Sequence, residues 1–351
     1  MTNVITINKQ KIGNGYSPYV IAEAGVNHNG SLALALKMVD AAADAKADAI
    51  KFQTFKAEQV TTAQTKLAGY QQKNTGRKQS LIAMIKKLEL KDSDYPKIIE
   101  RCWRRGITFL SAPHGGFESV DLLQRLNVPA FKFGSADLTN LPVLRYAAKF
   151  KKPMIISTGM ATIPEIKQAI AVIKKAGNNK IIVLHCTTDY PTDVTDVNLS
   201  VIPRFAQELK TLIGYSDHTL GIEVPLMAAT LGACLIEKHF TLDRNLRGPD
   251  QAASMTPAEL GMMAEQLKQV PLVLGNSIKK PTEREKKYIP LVRKSVVANT
   301  NINAGHKITA ADLGIKRPGT GLAPKYFDTI VGRIAKRAIK KDTLIKQSDL
   351  K

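Results

Sequence analysis

The stretch PMIISTGMATIPEIKQAIAVIKKAGNNKIIVLHC (153–186) has the pattern of one strand–helix–strand unit. Its two ends, PMIIST (153–158) and IIVLHC (181–186), are continuously apolar, which is typical of parallel strands buried on both faces. The segment between them opens with a threonine, a proline and a glutamate, which are the signals of a helix N-terminus. This unit predicts parallel strands joined by helical crossovers.

The same alternation extends in both directions along the chain. Eight apolar runs precede residue 241, namely YVIAEA (19–24), DAIKFQ (48–53), ITFLSAP (107–113), AFKFGS (130–135), PMIIST (153–158), IIVLHC (181–186), TLIGYSD (211–217) and CLIEKHF (234–240). Eight strand–helix units in about 250 residues predict an α/β fold, the (β/α)₈ or TIM barrel. A doubly wound open sheet is the alternative, although no Gly-x-Gly-x-x-Gly turn follows the first run.

Composition changes after the last predicted barrel helix. Residues 275–290 are rich in charge and contain two prolines, so we expect a nearly extended linker between a barrel domain (1–274) and a small β-rich domain (291–351). The small domain has 13 Lys and Arg against four Asp, a net charge of +9. The long polar segment 54–80 is predicted to be a loop over the barrel mouth.

Length and composition exclude several classes of protein. The 351 residues are 44% hydrophobic and 23% charged, which is a globular mixture. Cys102, Cys186 and Cys234 are too far apart for a disulfide scaffold or a Cys-x-x-Cys zinc cluster. The N-terminus lacks the apolar core of a signal peptide, and no apolar run approaches the roughly 20 residues of a membrane span. We therefore expect a soluble, cytoplasmic protein.

The net charge of +21 permits binding to nucleic acid, attraction to a membrane surface or focusing of a small anionic substrate. The basic residues are spread along the chain, and aromatic residues make up only 6%, which supplies few platforms for stacked bases. Charge alone decides little, and we expect neither a nucleic-acid nor a membrane partner.

Reactive side chains lie where the predicted strands end, which is where barrel enzymes build their active sites. Lys51 and Lys132 interrupt apolar runs, and a buried ammonium is costly unless an anion meets it. Together with the hydroxyls of Ser135, Ser157 and Ser216 they form a candidate cradle for phosphate and carboxylate groups. The alternative for each lysine is a structural salt bridge to a barrel carboxylate.

Two histidines end adjacent predicted strands, His218 and His239, where two imidazoles can share a divalent cation. A satisfied core histidine is the alternative for either one. Glu23 is a candidate for polarising, orienting or proton-handling work. His185 and Cys186 are expected to lie in the core.

Ten segments in order resemble the N-acetylneuraminate (sialic acid) synthase family, which includes legionaminic acid synthases. They are IAEAGVNHNG (21–30), DAIKFQTFKA (48–57), YQQKNTG (70–76), FKFGSADLTNLP (131–142), IISTGMAT (155–162), HCTTDYPT (185–192), GYSDHTLG (214–221), IEKHFTLDR (236–244), GPDQAASM (248–255) and KRPGTGLAP (316–324). The resemblance implies a barrel followed by an antifreeze-like (SAF) domain, and a homodimer in which that domain covers the partner's barrel mouth. It also implies condensation of phosphoenolpyruvate with an N-acetylated amino sugar.

The resemblance further implies roles for individual residues. The catalytic set falls on Glu23, Lys51, Lys132 and Asp137. Phosphoenolpyruvate binding falls on Lys51, Lys132, Ser135, Ser157 and Ser216, and sugar binding on Gln53, Asp137, Tyr190 and Asp250. The ligands of a divalent metal, Mn²⁺ or Mg²⁺, fall on His218 and His239. An arginine that serves the partner's site falls on Arg317.

Three positions depart from the family's pattern, namely Ala112 (followed by Pro-His-Gly-Gly), Ala136 and Thr188. They bear on the sugar more than on the reaction. The function we favour from the sequence is N-acetylneuraminate synthesis from N-acetylmannosamine. The alternative is N,N'-diacetyllegionaminate synthesis from a 6-deoxy diacetamido sugar. A non-catalytic polyanion or nucleic-acid binder that uses the basic C-terminal domain is the alternative from another class.

Overall fold

The protein is described from a computed structural model, which describes residues 4–62, 64–65 and 80–351. Most of the polar segment 54–80 and the motif YQQKNTG (70–76) lie outside the described residues. The chain divides into two compact units, Met1–Gly275 and Asn276–Lys351.

The first unit is built around one sheet of eight parallel strands. These are β3 (Tyr19–Gly25), β4 (Ala49–Thr54), β5 (Thr108–Pro113), β6 (Phe131–Phe133), β7 (Met154–Ser157), β8 (Ile181–Cys186), β9 (Leu212–Asp217) and β10 (Leu235–His239). Their order is β5-β4-β3-β10-β9-β8-β7-β6, and every pair is parallel. Since β5 and β6 at the two ends also contact each other, the sheet curls into a barrel. The predicted (β/α)₈ fold is confirmed.

Helices alternate with these strands. Their bounds are Leu32–Asp44, Ala57–Val60, Leu81–Lys86, Tyr95–Arg105, Gly116–Arg125, Leu141–Ala148, Ile163–Lys175, Val201–Leu209, Glu223–Thr230 and Pro257–Leu274. Ile163–Lys175 shows why they form. The Thr162 backbone N–H and hydroxyl both donate to Glu165 Oε2 at 2.7 Å, which closes a capping box. Ile166 and Ile173 on one face of this helix are buried in the main hydrophobic core.

An N-terminal hairpin precedes the barrel and was missed from the sequence. Its strands β1 (Val4–Ile7) and β2 (Gln10–Gly13) pair antiparallel. Ile7 and Ile12 are fully buried and cluster with the residues that begin several barrel strands, among them Tyr19. The hairpin therefore fills the amino-terminal end of the barrel and leaves the carboxyl ends of the strands open.

The second unit has its own small core and an antiparallel pair, β11 (Ser295–Ala298) and β12 (Leu313–Lys316), with isolated bridges around it. The other helices described are Glu283–Lys286, Ile289–Val292 and Phe327–Ile330. The expected nearly extended linker is wrong for its second half, because Thr282 and Glu285 form a capping box that starts a helical turn.

None of the described helices is long and apolar enough to cross a bilayer. The cytoplasmic location expected from the sequence stays a prediction.

Candidate active site

A cavity of about 340 Å³ opens at the carboxyl ends of the barrel strands. It is lined by eleven of the thirteen residues chosen from the sequence, namely Glu23, Lys51, Gln53, Lys132, Ser135, Ser157, Tyr190, Ser216, His218, His239 and Asp250. Asp137 is absent from its lining residues, and Arg317 belongs to the second unit. The fold therefore brings most of the predicted site residues together in one cavity.

Four buried charges occupy the floor of this cavity. Lys51 Nζ lies 2.8 Å from Glu23 Oε1 and 3.6 Å from Glu237 Oε1. Lys132 Nζ lies 3.2 Å from the same Glu237 oxygen, and none of the four residues is more than 4% exposed. Both lysines thus make the salt bridges that were the alternative to anion binding. Since the cluster balances two cations with two anions, neither lysine is a buried unpaired charge.

Glu237 received no role from the sequence, although the pattern contained a signal for it. Side chains two apart on a strand point to the same side, so Glu237 and His239 on β10 face the barrel interior together. Glu237 Oε1 also accepts a hydrogen bond from Ser216 Oγ at 3.4 Å. Glu237, two residues before the predicted metal ligand His239, is therefore a site residue that the sequence pattern could have indicated.

Burial and charge pairing act differently on the members of this cluster. Burial raises the pKa of Glu23 above its usual value, and the nearby Lys51 ammonium offsets this only in part. Burial opposes the charge on Lys51, but Glu23 and Glu237 outweigh it and raise the pKa of Lys51. Burial lowers the pKa of Lys132, because Glu237 compensates incompletely. Lys132 is therefore the lysine whose charge an incoming anion would stabilise most.

Serine hydroxyls extend the polar floor toward β7. Ser135 Oγ accepts a hydrogen bond from the Gly159 backbone N–H at 3.0 Å. Gly159 allows this approach because a Cβ there would lie 2.8 Å from Ser135 Oγ. Ser157 Oγ is buried and has no hydrogen-bond partner among the described residues. A buried hydroxyl without a partner is expected where a polar ligand supplies one.

The two residues at the end of β8, His185 and Cys186, were both expected to lie in the core. His185 is a core residue, as expected, because its Nε2 bonds the Val197 carbonyl oxygen at 2.8 Å. Cys186 is buried as well, at 6% exposed, but it also lines the cavity. Successive residues of a strand point to opposite sides, so only one of the two can face the barrel interior.

His218 and His239 come together at the cavity wall with ring centroids 5.5 Å apart. His218 Nδ1 bonds the Thr187 carbonyl oxygen at 2.6 Å, which leaves Nε2 as a possible metal ligand. His239 Nδ1 is buried without a hydrogen-bond partner in the described part of the chain. These observations fit a divalent cation held by two imidazoles.

No third His, Cys, Asp or Glu among the described residues completes a metal-binding group with these two histidines. Any further ligands would come from water or substrate oxygens, as in catalytic metal sites that keep open positions.

Asp137 was expected to be catalytic and to contact sugar, but its carboxylate is engaged elsewhere. Its Oδ2 lies 3.0 Å from Nδ1 of His114, and it is His114 that lines the cavity. His114 belongs to the Pro-His-Gly-Gly segment that departs from the family's pattern, and it received no role from the sequence. The unusual Pro-His-Gly-Gly sequence was therefore the one signal in the sequence that could have pointed to His114.

One side of the cavity is apolar. It is formed by Val26, Phe55, Val60, Met84, Ile85 and Leu88. Val26, Phe55 and Leu88 also make a small hydrophobic cluster of their own, against which Ile85 packs. A wall of this kind contacts methyl groups of a ligand rather than hydroxyls.

Asp250 reaches the cavity on the loop after β10. Burial, and to a lesser degree the charge of Glu23, raise the pKa of Asp250 to about 6. The loop is fixed by a short chain of hydrogen bonds, since Asn27 Nδ2 donates to Ser254 Oγ at 2.9 Å and Ser254 Oγ donates to the Asp250 carbonyl oxygen at 2.7 Å. These hydrogen bonds fix the backbone of Asp250 and so set the position of its side chain.

The fold and the cavity define a (β/α)₈-barrel protein whose site is suited to anionic and polar ligands, at the end of the barrel where enzymes of this fold act. The chain belongs to the NeuB family, whose model matches residues 38–279, and a SAF domain model matches residues 293–351. The resemblance found in the sequence is confirmed for both units.

Two similar relatives are N,N'-diacetyllegionaminic acid synthases. The protein from Campylobacter jejuni is 44% identical over 330 residues, which is 93% of this chain and 98% of that protein. The one from Legionella pneumophila is 42% identical over 326 residues, which is 91% of each chain. Among solved structures, the N-acetylneuraminic acid (sialic acid) synthetase from Leptospira borgpetersenii matches with a TM-score of 0.73 and 35% identity. That match covers 82% of this chain and 96% of the other.

Proposed function

We propose that the chain is an N,N'-diacetyllegionaminate synthase, which condenses phosphoenolpyruvate with the open-chain form of a 6-deoxy diacetamido sugar and releases phosphate. The observation that carries the proposal is the mixed lining of the cavity, which combines buried lysines and serine hydroxyls with a cluster of apolar side chains. The relatives from Campylobacter jejuni and Legionella pneumophila support the same sugar. This choice replaces N-acetylneuraminate synthesis, which the sequence alone favoured.

Phosphoenolpyruvate binds at the polar floor in this proposal. Its phosphate and carboxylate oxygens accept hydrogen bonds from Lys132 and from the hydroxyls of Ser135 and Ser157. Two features support this assignment: the Ser157 hydroxyl has no partner among the described residues, and the pKa of Lys132 is lowered. An arriving anion satisfies the first and stabilises the charge on the second.

The reaction then balances with water as the further reagent. C3 of phosphoenolpyruvate attacks the aldehyde carbon and forms the new C–C bond, while the aldehyde oxygen gains a proton. Water adds at C2 and loses one proton, which leaves a hydroxyl beside the phosphate ester. The C2–O bond to phosphate then breaks as the hydroxyl proton passes to the departing phosphate and C2 becomes a ketone. The proton that water loses first needs an acceptor. Glu23 is suited to take that proton, because its Oε2 is buried and unpartnered among the described residues while Lys51 holds its Oε1.

His218 and His239 would hold the divalent cation, for which Mn²⁺ and Mg²⁺ stay predictions. When bound, the cation supplies a Lewis acid for the oxygen of the sugar aldehyde. The chain prepares this position by fixing the His218 ring between the Thr187 carbonyl and Tyr190, whose ring centroid lies 4.1 Å from that of His218.

The apolar wall separates the two sugars that were considered. A 6-deoxy diacetamido sugar presents a methyl group at C6 and two acetamido methyl groups, whereas N-acetylmannosamine presents a C6 hydroxyl and one acetamido methyl. Each buried methyl is worth about 0.8 kcal/mol in contact with apolar side chains, and burying an unpaired hydroxyl is unfavourable. N-acetylmannosamine is kept as the second candidate because of the similarity to the Leptospira structure.

The predicted homodimer and the service of Arg317 to a partner's cavity stay proposals. The exposed apolar end of the helix Pro257–Leu274 supports a partner, since Leu272 and Val273 are 81% and 82% exposed. Contiguous exposed apolar side chains are typical of a protein–protein contact.

The proposal is tested by phosphate release from phosphoenolpyruvate, measured with the 6-deoxy diacetamido sugar, with N-acetylmannosamine and with neither. We expect sugar-dependent release with the first, loss of release after chelation and recovery on adding Mn²⁺ or Mg²⁺. Mass spectrometry of the product should show the sum of the sugar, phosphoenolpyruvate and water less phosphate. Release independent of any amino sugar would contradict the proposal.

A further inference from the structure

His114 lines the cavity, and none of the roles described above has been assigned to it. It follows β5 directly, and its backbone N–H donates to the Thr54 carbonyl oxygen at 3.0 Å on the neighbouring strand β4. This places it beside Phe55, which belongs to the apolar wall. The backbone of His114 therefore borders the apolar wall, where the proposed function puts the amino sugar, and its ring borders Gly134, next to Ser135 of the polar floor.

The imidazole is fixed from two sides. Nδ1 bonds Asp137 Oδ2 at 3.0 Å. The ring also lies over Gly134, where a Cβ would be only 2.8 Å from His114 Cε1, so a larger residue there would displace it. A carboxylate bonded to one ring nitrogen holds the imidazole in one tautomer and orientation. The chain therefore presents the other nitrogen, Nε2, in a set position.

The chemistry of Nε2 selects its ligand. With the Nδ1 proton directed at Asp137, Nε2 of the neutral ring is a hydrogen-bond acceptor. It has no hydrogen-bond partner among the described residues, and the side chain is 22% exposed. The ionised phosphate and carboxylate groups of phosphoenolpyruvate are acceptors too, and the Asp137 carboxylate repels them. An amino sugar carries hydroxyl and amide N–H donors, which match.

We propose that His114 binds the amino sugar by accepting a hydrogen bond at Nε2, and that Asp137 acts on the sugar only through His114, as a positioning residue. This inference rests on the proposed function and adds to it the residue that recognises a donor group of the sugar. It also explains why Asp137 does not line the cavity.

A matched pair of substitutions separates the two ring nitrogens. His114→Gln keeps a polar atom near the position of Nε2, whereas His114→Asn keeps one near Nδ1 and loses the Nε2 contact. We expect His114→Asn and His114→Ala to raise the KM for the 6-deoxy diacetamido sugar by roughly 3- to 10-fold, as for the loss of one hydrogen bond. His114→Gln should restore most of that loss, and the KM for phosphoenolpyruvate should not change in any of them.

A double-mutant cycle tests the part assigned to Asp137. If Asp137 acts only through His114, then His114→Ala with Asp137→Ala should raise the sugar KM no more than His114→Ala does alone. If the double variant instead raised the sugar KM by the product of the two single effects, this part of the inference would be overturned. His306→Ala serves as the control, because it removes another His–Asp pair (2.9 Å) in the second unit and should leave both KM values unchanged.

The outcomes distinguish this inference from the function on which it rests. Sugar-dependent turnover by the unaltered protein with an unchanged sugar KM in His114→Ala would overturn the inference alone. Equal defects in His114→Gln and His114→Asn would also overturn it, because they would indicate a merely structural ring. Absence of turnover by the unaltered protein with any amino sugar would overturn the proposed function and this inference with it.

Discussion

At the scale of single residues, Glu237 is the link that keeps two lysines in the cavity floor. Its Oε1 lies 3.6 Å from Lys51 Nζ and 3.2 Å from Lys132 Nζ. Without it, the pair Lys51–Glu23 would remain, and Lys132 would be a buried ammonium with no carboxylate within salt-bridge distance among the described residues. In the absence of a ligand, Glu237 therefore holds both lysines in place. When an anionic substrate binds, it and Glu237 would both interact with these lysines.

We predict that Glu237→Gln lowers the free energy of unfolding by about 3 kcal/mol, the low end for a broken buried pair, since Lys132 can release its proton. Urea denaturation at neutral pH measures this. The control is Glu58→Gln, which breaks a surface pair with Lys86 and should change nothing measurable. Equal stability of Glu237→Gln and the unaltered protein would contradict the buried cluster.

His28 gives the site's surroundings a dependence on pH. It is 1% exposed, and burial lowers its pKa to about 4, against about 6.5 in an unfolded chain. Between these values the unfolded state binds more protons than the folded state. The contribution of neutral His28 to stability is therefore complete above about pH 6.5 and is lost as the pH falls toward 4.

We predict that His28→Gln flattens the dependence of unfolding free energy on pH by up to about 1.4 kcal/mol per pH unit in this window. Urea denaturation at several pH values between 4.5 and 6.5 measures the slope for both proteins. Parallel slopes would mean that His28 takes up its proton equally in the folded and unfolded states.

Sequence reasoning reached the site residues that end strands, because in this fold strand position alone decides which side chains meet. It missed His114, and it did not anticipate that Asp137 bonds His114 instead of lining the cavity, for a physical reason. Whether Asp137 faces the cavity depends on the turn Ser135–Asp137 and on the imidazole that takes its carboxylate, and neither is encoded in strand periodicity. Contacts between loops are set by tertiary packing.

At the scale of elements, the barrel strands agree with the sequence to within one or two residues at most ends, because a buried parallel strand is a run of apolar residues. The hairpin β1–β2 escaped detection, since each strand has only four residues; β1 alternates between exposed and buried positions, and β2 begins with two exposed polar residues. The helical turn in the second half of the linker was not predicted, because its capping box lies within a charged segment.

We predict that the hairpin contributes stability and not substrate binding. Ile7→Ala, at a fully buried position, should lower the free energy of unfolding by about 2–5 kcal/mol and leave the KM for phosphoenolpyruvate unchanged. Val4→Ala is the matched control on the same strand, where the side chain is 40% exposed, and it should have little effect. A similar small loss in both variants would contradict the role of the hairpin as a plug.

At the scale of the whole molecule, the two units raise the question of which cavity the second unit serves. Arg317 lies in a Lys-Arg-Pro-Gly segment, and its guanidinium is suited to bond an acetamido oxygen or a phosphate. The proposal that it acts on the partner's cavity predicts complementation. Neither Glu23→Ala nor Arg317→Ala protein should be active alone, and mixing them under subunit exchange should restore part of the activity. Exchange without restored activity would show that Arg317 does not act across the dimer.

The preference for the diacetamido sugar is tested most directly by a competition between the two sugars. The purified protein is given phosphoenolpyruvate, a divalent metal, and equal concentrations of the 6-deoxy diacetamido sugar and N-acetylmannosamine, and the two products are quantified by mass. Two extra methyl contacts at about 0.8 kcal/mol each predict that the diacetamido product exceeds the other by at least about tenfold. An excess of the N-acetylmannosamine product would contradict the assignment.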